Sequence, residues 1–550
     1  MPSELLDDAP ARPVDDEAAA ERATRRLSLR PPEPVGSTID RLRVSPLTDR
    51  LIGWIVTLSI TAIAFAIRFV NLATPNKLVF DETYYAKDAY SLLRFGYERQ
   101  WPDDANASIV AGNVDVMKDA ASFIVHPPVG KWLIAAGEAM FGMNSFGWRV
   151  GPLIFGTLLV LITIRLVRRV SRSTLIGGIA GLLLTFDGLA FVMSRTALLD
   201  IFLAFFVIAA VACLAADRDW FRNKLADHLT TTGVPDLAGR FGPALIVRPW
   251  RIAAGLCFGL ALGTKWNALY ILAAFALLSL AWDVGARRLA GAGRRSITAL
   301  LRDGLPAFVS LIVLSAAVYV LTWVGWFATS GGYDRHWGAD HPDATTTRVL
   351  GSAFASFLHY QRDIWNFHTG SFIMNAQHTY RANPIGWLVL ARPLGIDAVN
   401  DIQPGTGGCA GPEKCLSVIS AIGTPALWWG AVFALVAALI LWVGGRDWRF
   451  GIPVVGVLSG WLPWFQYEAR PLFFFYAIVI IPFSVMAVAL CLGRLLGPDE
   501  PTDRRMIGGI LAGAYVALVG ANFAYLYPIL TDQVLPHSKW LARMWLRSWI

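Results

Sequence analysis

Apolar stretches of about 18 residues or more recur along most of the chain, separated by short polar segments. Such stretches are typical of helices that span a bilayer, because about 20 residues at 1.5 Å each cross its hydrocarbon core. We therefore predict an all-α integral membrane protein, a polytopic bundle of about eleven transmembrane helices. The predicted spans are 51–70, 148–167, 174–193, 198–215, 251–265, 267–283, 305–326, 424–443, 450–466, 471–492 and 506–527.

Arginine is concentrated in alternate loops between these spans. Loops rich in Lys and Arg stay on the cytoplasmic side, so we predict a cytoplasmic N-terminus and an extracytoplasmic C-terminus. The arginines that set this orientation are Arg165, Arg168, Arg169, Arg172, Arg287, Arg288, Arg294, Arg295, Arg446, Arg449, Arg494, Arg504 and Arg505. Two long segments, 71–147 and 327–423, then lie outside, and loops this long usually carry chemistry or binding.

The beginning of the chain has a different composition. Residues 1–47 are charged, Pro-rich and poor in apolar side chains, which predicts a disordered cytoplasmic tail ahead of a membrane domain over 48–550. The net charge of +8 does not indicate a nucleic-acid partner, because most arginines lie in the short loops that orient helices in a bilayer.

Two of the five cysteines, Cys409 and Cys415, lie six residues apart in a polar, Gly-rich part of the second outer segment. A disulfide is expected there if this segment faces an oxidising compartment. The other three lie in apolar runs and are interpreted as packing residues.

The first outer segment begins with VFDETYYAKDAYSLL, whose apolar spacing predicts an amphipathic helix at the membrane interface. Asp81 and Glu82 stand at its start. Adjacent residues on a helix point about 100° apart, so we expect one carboxylate to act and the other to orient it. The alternative is N-terminal capping by acidic residues. The following FIVHPPVGKWLIAAGEAMFG carries His126 and Lys131 and predicts a second interfacial helix.

Cations and further polar residues collect at the same predicted face. Lys131 and Arg149 are candidates to pair with an anionic group, with snorkelling to lipid headgroups as the alternative for Lys131. Arg195 and Asp200 border the MSRTALLD connection, where a structural salt bridge between helices is the alternative, and Asp187 lies deeper, facing protein or water. The other outer-face candidates are Lys265, His378, Tyr380, Arg381 and Arg470.

A carboxylate beside several cations at the depth of lipid phosphates suits transfer of a sugar from a lipid phosphate. The cations would stabilise charge on the departing phosphate while a carboxylate accepts the proton of an attacking hydroxyl. The sequence contains no convincing Walker A motif, Rossmann turn, His-x-x-x-His zinc pattern or serine nucleophile elbow. No compact carboxylate cluster suited to Mg²⁺ is evident either, so no metal site is assigned, although divalent-metal dependence stays open.

Several motifs together resemble the protein O-mannosyltransferase family, membrane enzymes of the GT-C class. The matching elements, in order, are FDETYYAKDAYSLL, HPPVGK, SRTALLDIFLAFF, LGTKWNALY and HTYRANPIGWLVLARP. The resemblance implies a GT-C-type bundle, a polyprenyl-phosphate-mannose donor, an acceptor Ser or Thr hydroxyl on an exported protein, and inversion at the anomeric carbon. The chain is most similar to bacterial, actinobacterial-type members, since the second outer segment leaves no room for the beta-trefoil domain of eukaryotic members.

The resemblance also implies roles for residues. Asp81 would be the catalytic base or acceptor-orienting carboxylate, supported by Glu82, and Arg149 matches a loop-end arginine assigned here to the donor phosphate. Four further residues are assigned to the same phosphate because they are cationic and lie on the same predicted side of the membrane: Lys131, Arg195, Lys265 and Arg470. The expected substrate-binding residues are His126, Asp200, His378, Tyr380 and Arg381.

Two other functions remain open. One is a GT-C transferase that moves another polyprenyl-phosphate sugar, such as arabinose or aminoarabinose, to a lipid or glycan. The other is a secondary transporter, which predicts inverted repeats that the sequence does not display. The expected location is the bacterial plasma membrane, with acceptor delivery by the Sec translocon as a hypothesis, no nucleic-acid partner, and an oligomeric state that the sequence leaves open.

Overall fold

The computed structural model describes residues 36–497 and 499–550. Seven helices in these residues are long and apolar enough to cross a membrane. They are Arg50–Phe69, Ser145–Ser171, Asp200–Thr232, Ala268–Leu289, Arg295–Thr322, Pro425–Val443 and Asp503–Leu530. Three shorter apolar helices, Thr174–Thr185, Pro249–Leu262 and Ile481–Leu496, lie at further predicted spans. The polytopic helical architecture is confirmed, and the count of eleven spans stays a prediction.

Three predicted spans differ in detail from the helices. The helix Asp200–Thr232 continues well past the expected end at 215, because polar residues beyond that point pair with neighbouring segments, as Asp217 does with Arg248. The helix Arg295–Thr322 begins ten residues before the expected 305 and contains a π-helical turn, Val309–Val313. The predicted span 471–492 begins as a 3₁₀ segment, Phe474–Val479, and is α-helical only from Ile481 to Leu496.

The predicted span 174–193 is broken near its middle by a buried carboxylate. Its two pieces are Thr174–Thr185 and Gly188–Met193, and the Asp187 side chain caps the second piece by accepting from the Ala190 N–H at 2.8 Å. Trp428 Nε1 also donates to Asp187 at 2.7 Å. Asp187 therefore faces protein, which is one of the two environments expected for a carboxylate at this depth.

The first outer segment contains the helices Glu82–Phe95, Ala105–Val110 and Val129–Phe141. The first and third match the two helices predicted there. They pack on each other, and Val129–Phe141 also packs on the N-terminal half of Ser145–Ser171, where Gly137 and Gly147 allow the backbones to approach closely. A Cβ at Gly137 would lie 2.3 Å from the Gly147 carbonyl oxygen, so a larger residue would separate these helices.

The second outer segment has its own secondary structure. Its helices are Val324–Ala328, Trp337–Asp340, Thr345–Leu350, Ser352–Thr369 and Ser371–Met374, followed by the 3₁₀ segment Pro384–Val389. A small antiparallel sheet follows, with strands β1 (Leu394–Ile402), β2 (Cys415–Ala421) and β3 (Leu535–Pro536) in that order. The all-α expectation did not include this sheet, in which the C-terminal segment adds the last strand to a hairpin.

The hairpin of β1 and β2 pairs Leu394 with Ala421 and Ile402 with Cys415. Cys409 and Cys415 form a disulfide across its loop, as the sequence suggested. The remaining helices are Trp448–Trp461, which continues as the 3₁₀ segment Leu462–Tyr467, and His537–Leu541 near the C-terminus.

Disorder was expected over residues 1–47, and the first 35 of these lie outside the described residues. Residues 36–47 differ from the expectation, because Thr38–Leu42 is a helix whose N-cap Ser37 and residue Asp40 form a capping box. Leu42 is fully buried against Phe221 and Leu225, and this contact offsets the entropy lost on ordering the segment.

Candidate active site

Asp81 and Glu82 follow the first spanning helix, Arg50–Phe69, and have opposite environments. Glu82 is fully buried and accepts from the Ala197 N–H and the Val79 N–H, both at 3.0 Å. Asp81 is half-buried, and its carboxylate does not cap the helix that begins at Glu82. Within the described part of the chain it accepts no hydrogen bond. Of the two carboxylates, only Asp81 is therefore available to a ligand.

Arg149 holds Glu82 in place. Its Nε donates to Glu82 Oε1 at 2.8 Å and its Nη2 to Glu82 Oε2 at 2.9 Å. The remaining N–H groups donate to the carbonyl oxygens of Leu72, Pro75 and Lys77 at 2.9 to 3.3 Å. All five guanidinium N–H groups are thus used within the protein. This geometry fixes the loop before Asp81, and it leaves the expected phosphate contact of Arg149 without a free donor.

Arg195 and Lys131 are also engaged by the protein. Arg195 donates to the carbonyl oxygens of Arg68, Val70 and Asn71 at 2.5 to 2.9 Å, at the end of the first spanning helix. Lys131 is almost fully buried and pairs with Glu98 and, at 3.6 Å, with Asp88. Their present partners are carbonyl oxygens and carboxylates, so both act on the loops around the site.

Lys265 and Asp200 form an ion pair next to Asp81. Lys265 Nζ lies 2.9 Å and 2.8 Å from the two Asp200 carboxylate oxygens, and 4.6 Å from the centroid of the Tyr476 ring. Burial raises the pKa of the Asp81 carboxyl to about 6, with the Lys265 ammonium opposing this shift and the Asp200 carboxylate adding to it. Asp200 was expected to bind substrate, and its contact is instead with Lys265.

Lys265 also lines a cavity of about 340 Å³, called the central cavity here. Its polar lining comes from four distant parts of the sequence and includes His126, Lys265, His368 and Arg470. Its apolar lining is largely aromatic. The aromatic lining residues are Trp266, Tyr270, Tyr319, Trp365, Trp464, Tyr467 and Tyr476.

Arg470 lines the central cavity and has one unpaired donor. Its Nη1 donates to His368 Nδ1 at 3.3 Å, while its Nε is buried with no hydrogen-bond partner among the described residues. His368 Nε2 lies 3.0 Å from the Val125 carbonyl oxygen. Nδ1 thus accepts and Nε2 donates, as in a neutral ring. Burial lowers the pKa of His368 to about 4, despite this backbone hydrogen bond, and lowers the pKa of His126 well below its usual value.

The residues expected from the HTYRANPIGWLVLARP stretch lie beside the cavity. The His378 ring packs edge-on against the rings of Phe80, the residue before Asp81, and Phe473. The distances between ring centroids are 6.2 Å and 4.9 Å. Arg381 donates to the carbonyl oxygen of Glu468. Tyr380 is partly buried under Arg392, and none of the three predicted residues lines the cavity.

The structure adds site residues that the sequence analysis missed. His368, Trp365 and Thr369 reach the central cavity from the helix Ser352–Thr369. Their only signal in the sequence was WNFHTG, an aromatic and histidine stretch in an outer segment. Arg68 was also missed; it is fully buried and donates to Ser194 Oγ at 3.2 Å, next to Arg195.

One group of described residues could hold a metal ion. Asp334, His359 and Asp363 offer ligand atoms that all lie within 4.8 Å of one another. None of the three lines the central cavity.

Comparison with known proteins supports the resemblance. The family model for dolichyl-phosphate-mannose-protein mannosyltransferases matches residues 58–235. A polyprenol-phosphate-mannose–protein mannosyltransferase of Mycobacterium tuberculosis is 40% identical over 94% of this chain and 97% of its own length. The enzyme of the same name from Corynebacterium glutamicum is 33% identical over 89% of this chain and 92% of its own length.

The fold has a solved counterpart in yeast. The structure of the S. cerevisiae protein O-mannosyltransferase Pmt1–Pmt2 complex bound to the sugar donor aligns with a TM-score of 0.67 at 13% identity, over 93% of this chain and 94% of that chain. This likeness confirms the expected GT-C-type membrane fold. The bacterial relatives, which match almost end to end, establish that the chain belongs to the protein O-mannosyltransferase family.

Proposed function

We propose that this protein transfers mannose from polyprenyl-phosphate-mannose to Ser or Thr hydroxyls of exported proteins at the extracytoplasmic face of the membrane. The names of its relatives give the donor and the acceptor class. The observation that carries the proposal is the Asp81 carboxylate, which has no hydrogen-bond partner among the described residues and lies near Lys265, a residue that lines the central cavity together with Arg470.

In the proposed reaction the acceptor hydroxyl gives its proton to Asp81 as its oxygen attacks the anomeric carbon of mannose. The bond between that carbon and the phosphate oxygen breaks, and polyprenyl phosphate leaves with the bonding electron pair. Attack opposite the leaving group inverts the anomeric carbon. A carboxyl with a pKa of about 6 is ionised at neutral pH and basic enough to accept the proton.

Arg470 and Lys265 are the proposed contacts for the donor phosphate. Arg470 has an unused Nε donor, and Lys265 brings a buried ammonium to the same cavity. Cations fixed in a poorly solvated site stabilise charge that develops on a leaving group without reorganising during the reaction. The aromatic lining suits the first isoprene units and the sugar face.

Glu82, Arg149, Arg195 and Lys131 are proposed as positioning residues in place of the expected direct contacts. Each pairs with the backbone or with a charged side chain of the protein. Together they fix the loop that ends in Asp81. His378 is proposed to lie on the acceptor side, because its ring packs on Phe80 next to that carboxylate.

The test is mannose transfer from radiolabelled polyprenyl-phosphate-mannose to a Ser/Thr-rich peptide, in membranes carrying wild type, Asp81→Asn or Asp103→Asn. Asp103 is an exposed carboxylate of the same outer segment and serves as the matched control. Labelling by wild type and Asp103→Asn, with loss of at least about 100-fold in Asp81→Asn, is the expected result. Retained labelling in Asp81→Asn would remove this carboxylate from the reaction.

The same assay separates the rival functions. If well-expressed wild type labels a lipid or glycan and never the peptide, the protein is a transferase with a different acceptor. Donor-independent sugar uptake by the purified protein in liposomes would instead indicate a transporter. Delivery of the acceptor by the Sec translocon is a further part of the proposal, tested by co-purification with the translocon during export.

A further inference from the structure

A second pocket lies at the opposite end of the helical bundle. The helix Ser145–Ser171 carries Arg149 near its start, beside the Asp81 loop, and Arg168 near its end. Arg168 pairs with Asp49, just ahead of the first spanning helix. At 1.5 Å per residue, this helix separates the two ends by about 30 Å or more. The pocket has a volume of about 520 Å³, larger than the central cavity.

Five arginines line this pocket, called the arginine pocket here: Arg50, Arg165, Arg168, Arg169 and Arg172. Three of them have partners in the protein. Arg168 lies 2.5 Å from Asp49, Arg169 lies 3.0 Å from Asp219, and Arg172 donates to the Ser45 carbonyl oxygen. The residues 44–47 and Arg50 close one side, so the arginines line a concave surface.

Two of the five guanidinium groups, those of Arg50 and Arg165, have neither an ion pair nor a hydrogen bond to the described residues. Arg165 stacks on the Trp54 ring at 4.1 Å, and its Nη1 is buried with no hydrogen-bond partner in the described residues. Arg50 likewise has no ion pair within the described ranges, 36–497 and 499–550. Buried donors are normally satisfied, so an unpaired guanidinium N–H in a polar pocket indicates a ligand that supplies oxygen acceptors.

The rim of the arginine pocket continues into an apolar stripe. Leu51, Ile55 and Leu58 follow helical spacing on the first spanning helix and are 74%, 55% and 55% exposed. Trp54 lies between this stripe and the pocket and is 45% exposed. A ligand held by the arginines can therefore extend an apolar chain along the helix, in the direction of the hydrocarbon.

We propose that the arginine pocket binds the headgroup of an anionic phospholipid, whose acyl chains lie along Leu51, Ile55 and Leu58. The phosphate oxygens accept from Arg50 and Arg165, the two arginines of the pocket that have no hydrogen-bond or ion-pair partner in the described residues. The charge matches the ligand, and the apolar stripe favours a lipid over a free phosphate. This proposal concerns the end of the molecule remote from Asp81 and does not depend on the proposed function.

The experiment compares lipid binding by the purified full-length protein in detergent, using native mass spectrometry and thermal unfolding. The lipids are phosphatidylglycerol and phosphatidylcholine with identical acyl chains. Wild type is expected to bind phosphatidylglycerol more tightly. In the double variant Arg50→Gln/Arg165→Gln this preference falls by about fivefold per arginine, or about 25-fold in total. Neither substitution leaves a carboxylate without its partner, so the variant is expected to fold.

The matched control is Arg294→Gln, which removes an exposed arginine outside the pocket and retains the wild-type preference. An unchanged preference in the double variant would overturn the proposal. So would stabilisation of wild type by inorganic phosphate equal to that by phosphatidylglycerol, since the site would then bind an anion and not a lipid. An unfolding transition of the double variant that matches that of wild type in the absence of added lipid confirms that it is folded.

Discussion

At the scale of single residues, the site depends on the difference between two neighbouring carboxylates. The Glu82 carboxylate accepts four hydrogen bonds, two of them from Arg149, whereas the Asp81 carboxylate accepts none in the described residues. The sequence predicted that one would act and the other would orient it. It could not decide between them, because the partner of Glu82 lies 67 residues away.

The raised pKa of Asp81 predicts a pH dependence. If Asp81 is the base, only its ionised form is active, so kcat/KM is expected to fall about tenfold for each pH unit below a midpoint near 6. The pKa values of His126 and His368 are lowered by burial, so these rings are expected to take up protons at a lower pH than Asp81. The measurement is peptide labelling at subsaturating donor from pH 4.5 to 8.

A second buried carboxyl requires a control for this profile. Burial also raises the pKa of Asp88 to about 6, with Lys131 opposing the shift. The variant Asp88→Asn is expected to keep the same acidic limb, since Asp88 contacts Lys131 and not the central cavity. Loss of the limb in Asp88→Asn would assign the titration to Asp88 instead of Asp81.

Arg149 and Arg470 are expected to affect different kinetic constants. Arg149→Lys cannot reproduce five directed hydrogen bonds, so the Asp81 loop shifts and kcat falls by about 10- to 100-fold while the donor KM changes little. Arg470→Gln removes a charge at the central cavity and raises the donor KM by about 10-fold or more. Initial rates at varied donor concentration separate the two effects.

The control for this comparison is Arg348→Gln, which changes an exposed arginine of the second outer segment outside the cavity and leaves both constants within about twofold. A raised donor KM in Arg149→Lys with unchanged kcat would restore the phosphate contact first expected for Arg149. An unaffected KM in Arg470→Gln would remove Arg470 from the donor site.

At the scale of elements, the disulfide closes the loop of the hairpin formed by β1 and β2. Cys409 and Cys415 are six residues apart. A cross-link over so short a loop lowers the conformational entropy of the unfolded chain and thereby stabilises the folded protein by about 2 kcal/mol. Cys409→Ser/Cys415→Ser is therefore expected to unfold at a lower temperature than wild type and to retain transfer activity. Thermal unfolding with and without reductant measures the effect.

Reductant should lower the unfolding temperature of wild type and leave that of the double serine variant unchanged. The other cysteines, Cys213, Cys257 and Cys491, are free thiols and provide no second target. A reductant-sensitive double variant, or a wild type that does not respond, would contradict this assignment.

Hydropathy predicted most spanning elements because apolar length dominates that signal. It failed where one polar residue or a neighbouring segment decides the backbone. Asp187 divides a predicted span because it caps a new helix, and the aromatic stretch Phe474–Val479 takes a 3₁₀ conformation before the helix Ile481–Leu496. The strands were missed because β3 comes from the C-terminal segment, more than 100 residues after β2.

At the scale of the whole molecule, the outer-face cluster was predictable and its contacts were not. The predicted topology and the charges of the side chains were enough to place Asp81, Lys265 and Arg470 on one face. They could not show that Arg149 and Arg195 are occupied by carboxylate or carbonyl oxygens, since these contacts join segments far apart in sequence. His368 was missed because the helix Ser352–Thr369 reaches the cavity only through tertiary packing, where Tyr360 accepts from the Ile124 N–H.

Orientation in the membrane is the last prediction. Arginines in four loops predict that both outer segments face away from the cytoplasm, and the disulfide in the second segment agrees with an oxidising compartment. A cysteine at Val349, which is 73% exposed, should therefore react with a membrane-impermeant maleimide in intact cells. A cysteine at the exposed Arg294 should react only after the cells are opened. The reverse pattern would place the Asp81 site in the cytoplasm, where neither an exported acceptor nor a stable disulfide is expected.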